Sequence, residues 1–363
     1  MKVTEANIYQ YLHKRDLLNK KEVLKGNFMV QPVETRNYNM KILINEKDSL
    51  FVKQMTTDQI SNGLFQREVA TYNIFQNPTK QLAIAERVPK LLDHNFNQNI
   101  MVTELVYNSS NLNEYYFAAK SLDPVLAVEQ AQILFDCHSA AIDDEESKAF
   151  PKALPWVLQL DQYQAHEFFI DNAFSTQVIS LIKSNPVLQT ELLKLASTWK
   201  PTSLIHGDIK WINFLITSNQ NGLTQKLIDW ELADIGDPLW DVAGLIQSYI
   251  STWMQSIDET STNYKLYDHL TCYDIKDTSE SAKAFLYEYI RLQNIPTYKH
   301  HEFFEKVMQL TAARIIQTSL EEVTYLSEIK ANSMRHVQLA FNILKDPMDS
   351  LDKLFNIKLE LYV

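Results

Sequence analysis

Glycine is scarce in this chain: there are six in 363 residues, and four of them, Gly207, Gly222, Gly236 and Gly244, fall in one short segment. A glycine-rich phosphate loop of the G-x-G-x-x-G kind is therefore excluded, and the clustering marks 207–244 as backbone that takes unusual angles or approaches another group closely. Cysteine is scarcer still. Cys137 and Cys272 stand far apart without metal-ligand spacing, which excludes a disulfide framework and leaves both as small core residues. No stretch is long and apolar enough to span a bilayer, and MKVTEANIYQYLHKRDLL holds no continuous apolar segment of signal-peptide type. A cytoplasmic protein with no membrane partner is expected. Clusters of Lys and Arg are missing too, and 34 basic against 45 acidic residues leave a net charge of -11. That balance argues against nucleic acid as a partner and favours a cationic one.

What is present is a change of pattern along the chain. Residues 4–20 predict a helix with Thr4 as N-cap, and NFMVQPV, MKILI and SLFVKQ predict three short strands joined by polar loops. LFQREVATYNIF carries apolar residues on one helical face, and PKLLDHN and NIMVTELV predict two more strands. After Val106 the sequence is mostly helical, starting at DPVLAVEQAQILFDCHSAAI. The expected class is α+β, with a small antiparallel β lobe over 1–106 and a larger, mainly helical lobe over 107–363. DDEES at 143–147 predicts a solvated acidic loop. No internal repeat or low-complexity tract is visible.

The helical half is interrupted once, by SLIH, NFLIT and QKLIDW, which predict short strands with SNQNGLT as a turn. Around them lie HGDIKWIN (206–213), LIDWE (227–231) and GDPLWD (236–241). Asp208 and Asn213 fall in a loop between two strands and Asp229 at the end of the next, so three oxygen groups converge on strand ends. Two carboxylates and an amide suit magnesium, which takes hard oxygen ligands and is commonly shared with substrate phosphates. Asp237 and Pro238 read as the start of a helix, and Asp241, one turn in, is a carboxylate among apolar neighbours that needs donors and would brace the preceding loop.

HGDxxxxN followed by IDWE and GDPxxD resembles the motif of the aminoglycoside phosphotransferase and choline kinase superfamily, relatives of the protein kinases. The resemblance implies a protein-kinase-like two-lobed fold with ATP, or GTP as the alternative, between the lobes. It implies that Asp208 orients the attacking hydroxyl, that Asn213 and Asp229 hold Mg2+, and that Lys53 on a strand, held by Glu68 on the next helix, meets the phosphates. Lys210, in a D-x-K-x-x-N spacing shared with protein Ser/Thr kinases, would neutralise the transferred phosphoryl group. TELV (103–106) falls where this fold links its lobes, making Glu104, Leu105 and Val106 candidates for the adenine contact.

One departure stands out. QPVETRNYNM, the place of the nucleotide-covering loop, has no glycine, which leaves Thr35, Arg36, Asn37 and Asn39 as candidate phosphate contacts or as an ordinary polar hairpin. His206 is expected to hold the catalytic loop rather than act as base, and His138 to be a satisfied structural histidine. The acceptor would be chosen by helices over roughly 245–335, where SIDET, YDHLTCYD and EEVTY supply carboxylates and aromatics. The expected acceptor is a hydroxyl of a small, cationic molecule. The alternatives are a Ser or Thr of a precursor peptide, or a pseudokinase scaffold that only binds nucleotide. Oligomeric state is not legible.

Overall fold

The structure, a computed structural model, describes residues 2–34, 37–160, 173–219, 222–257, 273–323 and 331–359. It divides into two compact units, one of Met1–Leu112, Ser139–Pro151 and Ile212–Asp234, the other of Asn113–His138, Lys152–Trp211 and Ile235–Val363.

The first unit is built on an antiparallel sheet of β1 (Met29–Glu34), β2 (Tyr38–Leu43), β3 (Leu50–Gln54), β4 (Leu91–Asn95) and β5 (Ile100–Glu104), in the order β1-β2-β3-β5-β4. Side chains alternate between faces along a strand, so Met40, Ile42, Leu50, Val52, Ile100 and Val102 share one face. Ile8, Tyr11 and Leu12 join them in one buried cluster. Each such aliphatic side chain contributes about 1.5–3 kcal/mol on full burial. The expected 4–20 helix is shorter than its pattern suggested, running from Ile8 to Lys14, with a second short helix at Lys20–Leu24. The left-handed backbone of Asp16, φ 55°, lies between the two.

Lys53 takes the opposite face by the same alternation, paired across the ladder with Asn39 and Met101. A long helix, Gln59–Phe75, follows β3, and its Asp58 carboxylate caps it by accepting from Ser61 N at 2.9 Å. Phe65, Glu68, Val69 and Tyr72 recur on its buried side at helical spacing. A smaller sheet joins β6 (Ser110–Asn111), β8 (Phe214–Asn219) and β9 (Gly222–Leu227) in the order β6-β8-β9. The segment expected as an acidic loop is a helical turn at Asp144–Ser147, because Asp143 and Glu146 form a reciprocal capping box.

The second unit is helical apart from β7 (Ser203–Ile205), beside which lies β10 (Asp234–Gly236). Its centre is the Leu239–Gln255 helix, apolar almost all round, as a helix surrounded by others must be. The His300–Val323 helix packs on it, and the Pro124–His138 helix packs on the Ile275–Leu292 helix. Asp237 receives the start of the central helix, its Oδ1 accepting from Leu239 N at 3.1 Å, while Oδ2 accepts from Lys306 Nζ at 2.6 Å. Among the described residues, no helix is long and apolar enough to cross a membrane.

Candidate active site

The first unit gathers charge around one ammonium. Lys53 Nζ lies 2.8 Å from Glu68 Oε2, 2.5 Å from Asp229 Oδ1 and 3.0 Å from Glu231 Oε2, and its side chain is only 6% exposed. Burial alone would strip its proton, but the three carboxylates outweigh that and hold Lys53 well above the ordinary lysine range. Glu68 shifts the other way from most paired carboxylates. Its burial, with Asp229 and Glu231 adding repulsion against the pull of Lys53, raises it to about 7.

Asn213 and Asp229 reach this region through the β8–β9 hairpin. Phe214 pairs with Leu227, and one step further Ile228 N donates to Asn213 O at 3.0 Å, so the two residues flank the same end of the ladder. Asp229 lies past the end of β9 in left-handed backbone, φ 69° and ψ 59°, a conformation a non-glycine residue adopts at some cost and which recurs at functional sites. Phe75 then meets the Trp230 ring edge-on at 4.8 Å, seating the turn on the helix that carries Glu68.

One ligand oxygen from each of Glu68, Asp229 and Glu231 lies within 4.8 Å of the others. Three carboxylates against one ammonium leave negative charge to be neutralised, and the donors are hard oxygens, so the set fits a magnesium ion. Glu231 was not singled out from the sequence although IDWE contains it. The signal was available, because residues 229 and 231 are close enough in the chain to serve one cation.

Other residues picked from the sequence are placed elsewhere in this unit. Glu104 holds Lys226 at 2.8 Å, its N–H donates to Lys90 O, and Leu105 N donates to Ser49 O. The Val106 carbonyl accepts from Ser109 Oγ at 2.7 Å. Asn37 lies just before β2 and Asn39 within it. Thr35 and Arg36 lie outside the described residues, as do most of YDHLTCYD and the last residues of SIDET and EEVTY.

The second unit holds a loop by its backbone. Asp241 is fully buried and accepts from His206 N at 2.6 Å and Gly207 N at 3.0 Å. Burial would raise its carboxyl, yet the bond to His138, with His138 and His206 nearby and the loop amide, brings it below the ordinary range. A carboxylate only accepts, so His138 Nε2, 3.2 Å from Asp241, carries the proton, and Nδ1 faces Tyr289 Oη at 2.8 Å. Gly207 has φ +81°, which only glycine adopts without strain, and the next amide, Asp208 N, donates to His206 Nδ1 at 3.2 Å. The Asp208 carboxylate faces Lys210 Nζ at 2.8 Å and Arg314 Nη2 at 3.7 Å.

Arg314, on the His300–Val323 helix, was also missed, whereas Glu321 on the same helix belongs to EEVTY, one of the segments expected to supply carboxylates. Glu321 accepts from Gln317 Nε2 at 3.0 Å, and burial followed by the field of Asp208 raises its carboxyl against the pull of Arg314 and Lys210. An arginine inside the apolar run LTAARIIQTSL was the sign available, since a buried guanidinium must find acceptors.

Comparison with known proteins agrees with this architecture. Residues 110–271 match the model described as the phosphotransferase enzyme family. The fold is similar to the choline kinase of Cryptosporidium parvum Iowa II, with TM-score 0.58 and 14% identity over 97% of this chain and 99% of that one. It is similar to the ethanolamine kinase of Plasmodium vivax, with TM-score 0.56 and 16% identity over 94% of this chain and 91% of that one. A third likeness, TM-score 0.50 and 16% identity over 94% and 97% of the respective chains, is to APH(2")-IIa in its ternary complex with streptomycin and ATP. No curated protein matches the sequence. The motif-bearing segment thus matches a phosphotransferase family model, and the chain shares the kinase-like fold of these solved structures.

Proposed function

We propose that this protein transfers the γ-phosphate of ATP, or of GTP, to a hydroxyl of a small molecule carrying positive charge. The observation that carries the reading is Lys53, a buried ammonium fixed by Glu68 and lying against Asp229. An ammonium held in place before the nucleotide arrives needs no rearrangement to meet phosphate oxygens, and phosphoryl transfer depends chiefly on such positioning and charge stabilisation.

In this reading Asn213 and Asp229 hold Mg2+, and Glu231 stands beside them. The ion would supply charge neutralisation on the phosphates. The chain's own residues do the rest. Asp208 accepts a hydrogen bond from the acceptor hydroxyl and takes its proton as the bond to phosphorus forms. Lys210, 46% exposed at its side chain, swings from Asp208 to the transferred group. Asn37, Asn39 and Arg36 are candidates to cover the phosphates, and the 104–106 backbone to meet the base. The nucleotide sheet would lie in 1–106 and the catalytic loop and acceptor site in 107–363, the protein working in the cytoplasm where ATP is abundant. The cationic acceptor is supported by the net charge of -11 and by the choline and ethanolamine named for the similar structures.

The experiment is magnesium-dependent consumption of ATP and GTP by wild type and Asp208→Asn against pooled choline-like amines, aminoglycosides, sugars, nucleosides and Ser/Thr peptides. Stimulation by one pool, lost in the variant, supports the reading and names the acceptor. Stimulation by peptides alone would replace the small-molecule acceptor. Nucleotide binding with no stimulated turnover in any pool counts against transfer and for a scaffold.

A further inference from the structure

Arg314 is 2% exposed in the middle of the His300–Val323 helix. A guanidinium keeps its charge at any physiological pH, so at such a depth each donor has to be spent on an acceptor. Two are spent on the backbone that flanks Asp208: Nη1 donates to Gly207 O at 3.0 Å and Nη2 to Ile209 O at 3.0 Å. A third, Nε, donates to Gln247 Oε1 at 3.2 Å, and Gln247 is itself oriented by donating through Nε2 to Thr318 Oγ1 at 2.7 Å. The guanidinium also lies over the Trp240 ring, 5.0 Å from its centroid, which fixes its plane.

The facing helix leaves room for this arrangement. A Cβ on Gly244 would stand 3.0 Å from Ile209 O and 3.3 Å from Arg314 Nη2. Glycine is disfavoured against alanine in a helix interior, and here it occurs where the loop carbonyl and the guanidinium leave no room for a Cβ without a shift. The loop is thus gripped from two sides with opposite charge. Asp241 takes the amides of His206 and Gly207, and Arg314 takes the carbonyls of Gly207 and Ile209. Between the gripped carbonyls is Asp208, with Oδ1 3.7 Å from Arg314 Nη2.

We infer that Arg314 is a positioning residue for Asp208, a two-carbonyl clamp from the His300–Val323 helix that sets where the Asp208 carboxylate points. The inference rests on Asp208 being the group that orients the acceptor hydroxyl. A planar fork can serve two carbonyls and a ring face at once, whereas a lysine ammonium is a single point. Loss of the clamp lets the loop relax without touching Lys53, Asn213 or Asp229, so turnover should suffer more than nucleotide binding.

The test uses the full chain as wild type, Arg314→Lys, Arg314→Gln and Gly244→Ala. It measures kcat, the KM for nucleotide and for the acceptor found above, and backbone hydrogen exchange over residues 204–216. Misplacement of a catalytic group by about 1 Å costs on the order of 100-fold in rate, so Arg314→Gln should lose roughly that in kcat. Its nucleotide KM should stay within about threefold of wild type. Arg314→Lys and Gly244→Ala should fall between, and exchange in the loop should rise in all three while the rest of the protein stays protected. A folded Arg314→Gln with kcat within about twofold of wild type overturns the inference, as does unchanged loop exchange. Loss of turnover and nucleotide binding together, in step with global unfolding, also overturns it and makes Arg314 a core residue. If wild type itself shows no acceptor-stimulated turnover, the reading of Asp208 fails and the positioning role falls with it, while the exchange data report separately whether the clamp exists.

Discussion

The two units hold their charged groups in opposite ways. In the first, side chains do the holding: Lys53 is surrounded by Glu68, Asp229 and Glu231, three carboxyl groups around one ammonium. In the second, the backbone is held: Asp241 fixes two amides and Arg314 two carbonyls, and Asp208 takes its place as a consequence. A side-chain cluster of this kind answers to pH and to cations. A backbone-gripped loop answers to shape, so charge changes at its tip should alter chemistry with little effect on folding.

The largest effect is expected at Asp208. Asp208→Asn keeps the size of the side chain and the gripped loop but removes the proton acceptor, so transfer should fall by about 10³-fold or more while nucleotide affinity and melting temperature hold. Isothermal titration beside steady-state kinetics checks this, and parallel loss of binding would show that Asp208 belongs with the side-chain cluster. Lys53→Met should do the reverse and damage folding as well as activity. Glu68 and Glu231 would remain buried without their cation, a change that costs about 3–5 kcal/mol when one partner of a buried pair is removed. Urea unfolding measures it, and a variant as stable as wild type would mean that the cluster relaxes freely.

Asp229→Ala should weaken magnesium-dependent nucleotide binding by about tenfold or more with a smaller loss of stability, since its side chain is 38% exposed. A magnesium titration of nucleotide affinity that matches wild type would remove Asp229 from the metal assignment. The pH response sharpens the comparison further. The folded chain holds the Glu68 proton up to about 7, whereas the unfolded chain releases it near 4.5, so between these values the native state binds more protons. Stability from this group is therefore full below about 4.5 and declines as pH rises through about 7. Melting temperatures of wild type and Glu68→Gln across that window should diverge with rising pH, and parallel curves would place the Glu68 carboxyl in the ordinary range. The smallest structural effect is expected for Lys210→Ala, whose exposed pair with Asp208 is worth about 0–1 kcal/mol. Turnover should fall with the melting temperature almost unmoved, and a shift as large as that of Lys53→Met would break the contrast.

Much of the fold was legible because its signals are local. The five strands of the first sheet lie where short apolar runs alternate with polar loops, and Gln59–Phe75 follows the helical spacing of Phe65, Val69 and Tyr72. Asp241 was legible as a buried carboxylate in search of donors because an acid in an apolar helix has few other options. β6 and β10 were not, being two and three residues long with partners far away in the chain. The helix expected over 4–20 was overestimated because its apolar stripe continues through a break that the left-handed backbone at Asp16 imposes.

By itself the sequence determined the kind of chemistry on offer. The order HGD, Asn213, IDWE, the two scarce cysteines and the excess of acid over base are properties of composition and spacing, and hold whatever the chain folds into. The tertiary structure alone decided which charges meet. Lys53 and Glu231 are separated by 178 residues and Arg314 and Gly207 by 107, and nothing in local propensity encodes either pair. They come together because buried charges must find partners wherever packing brings them.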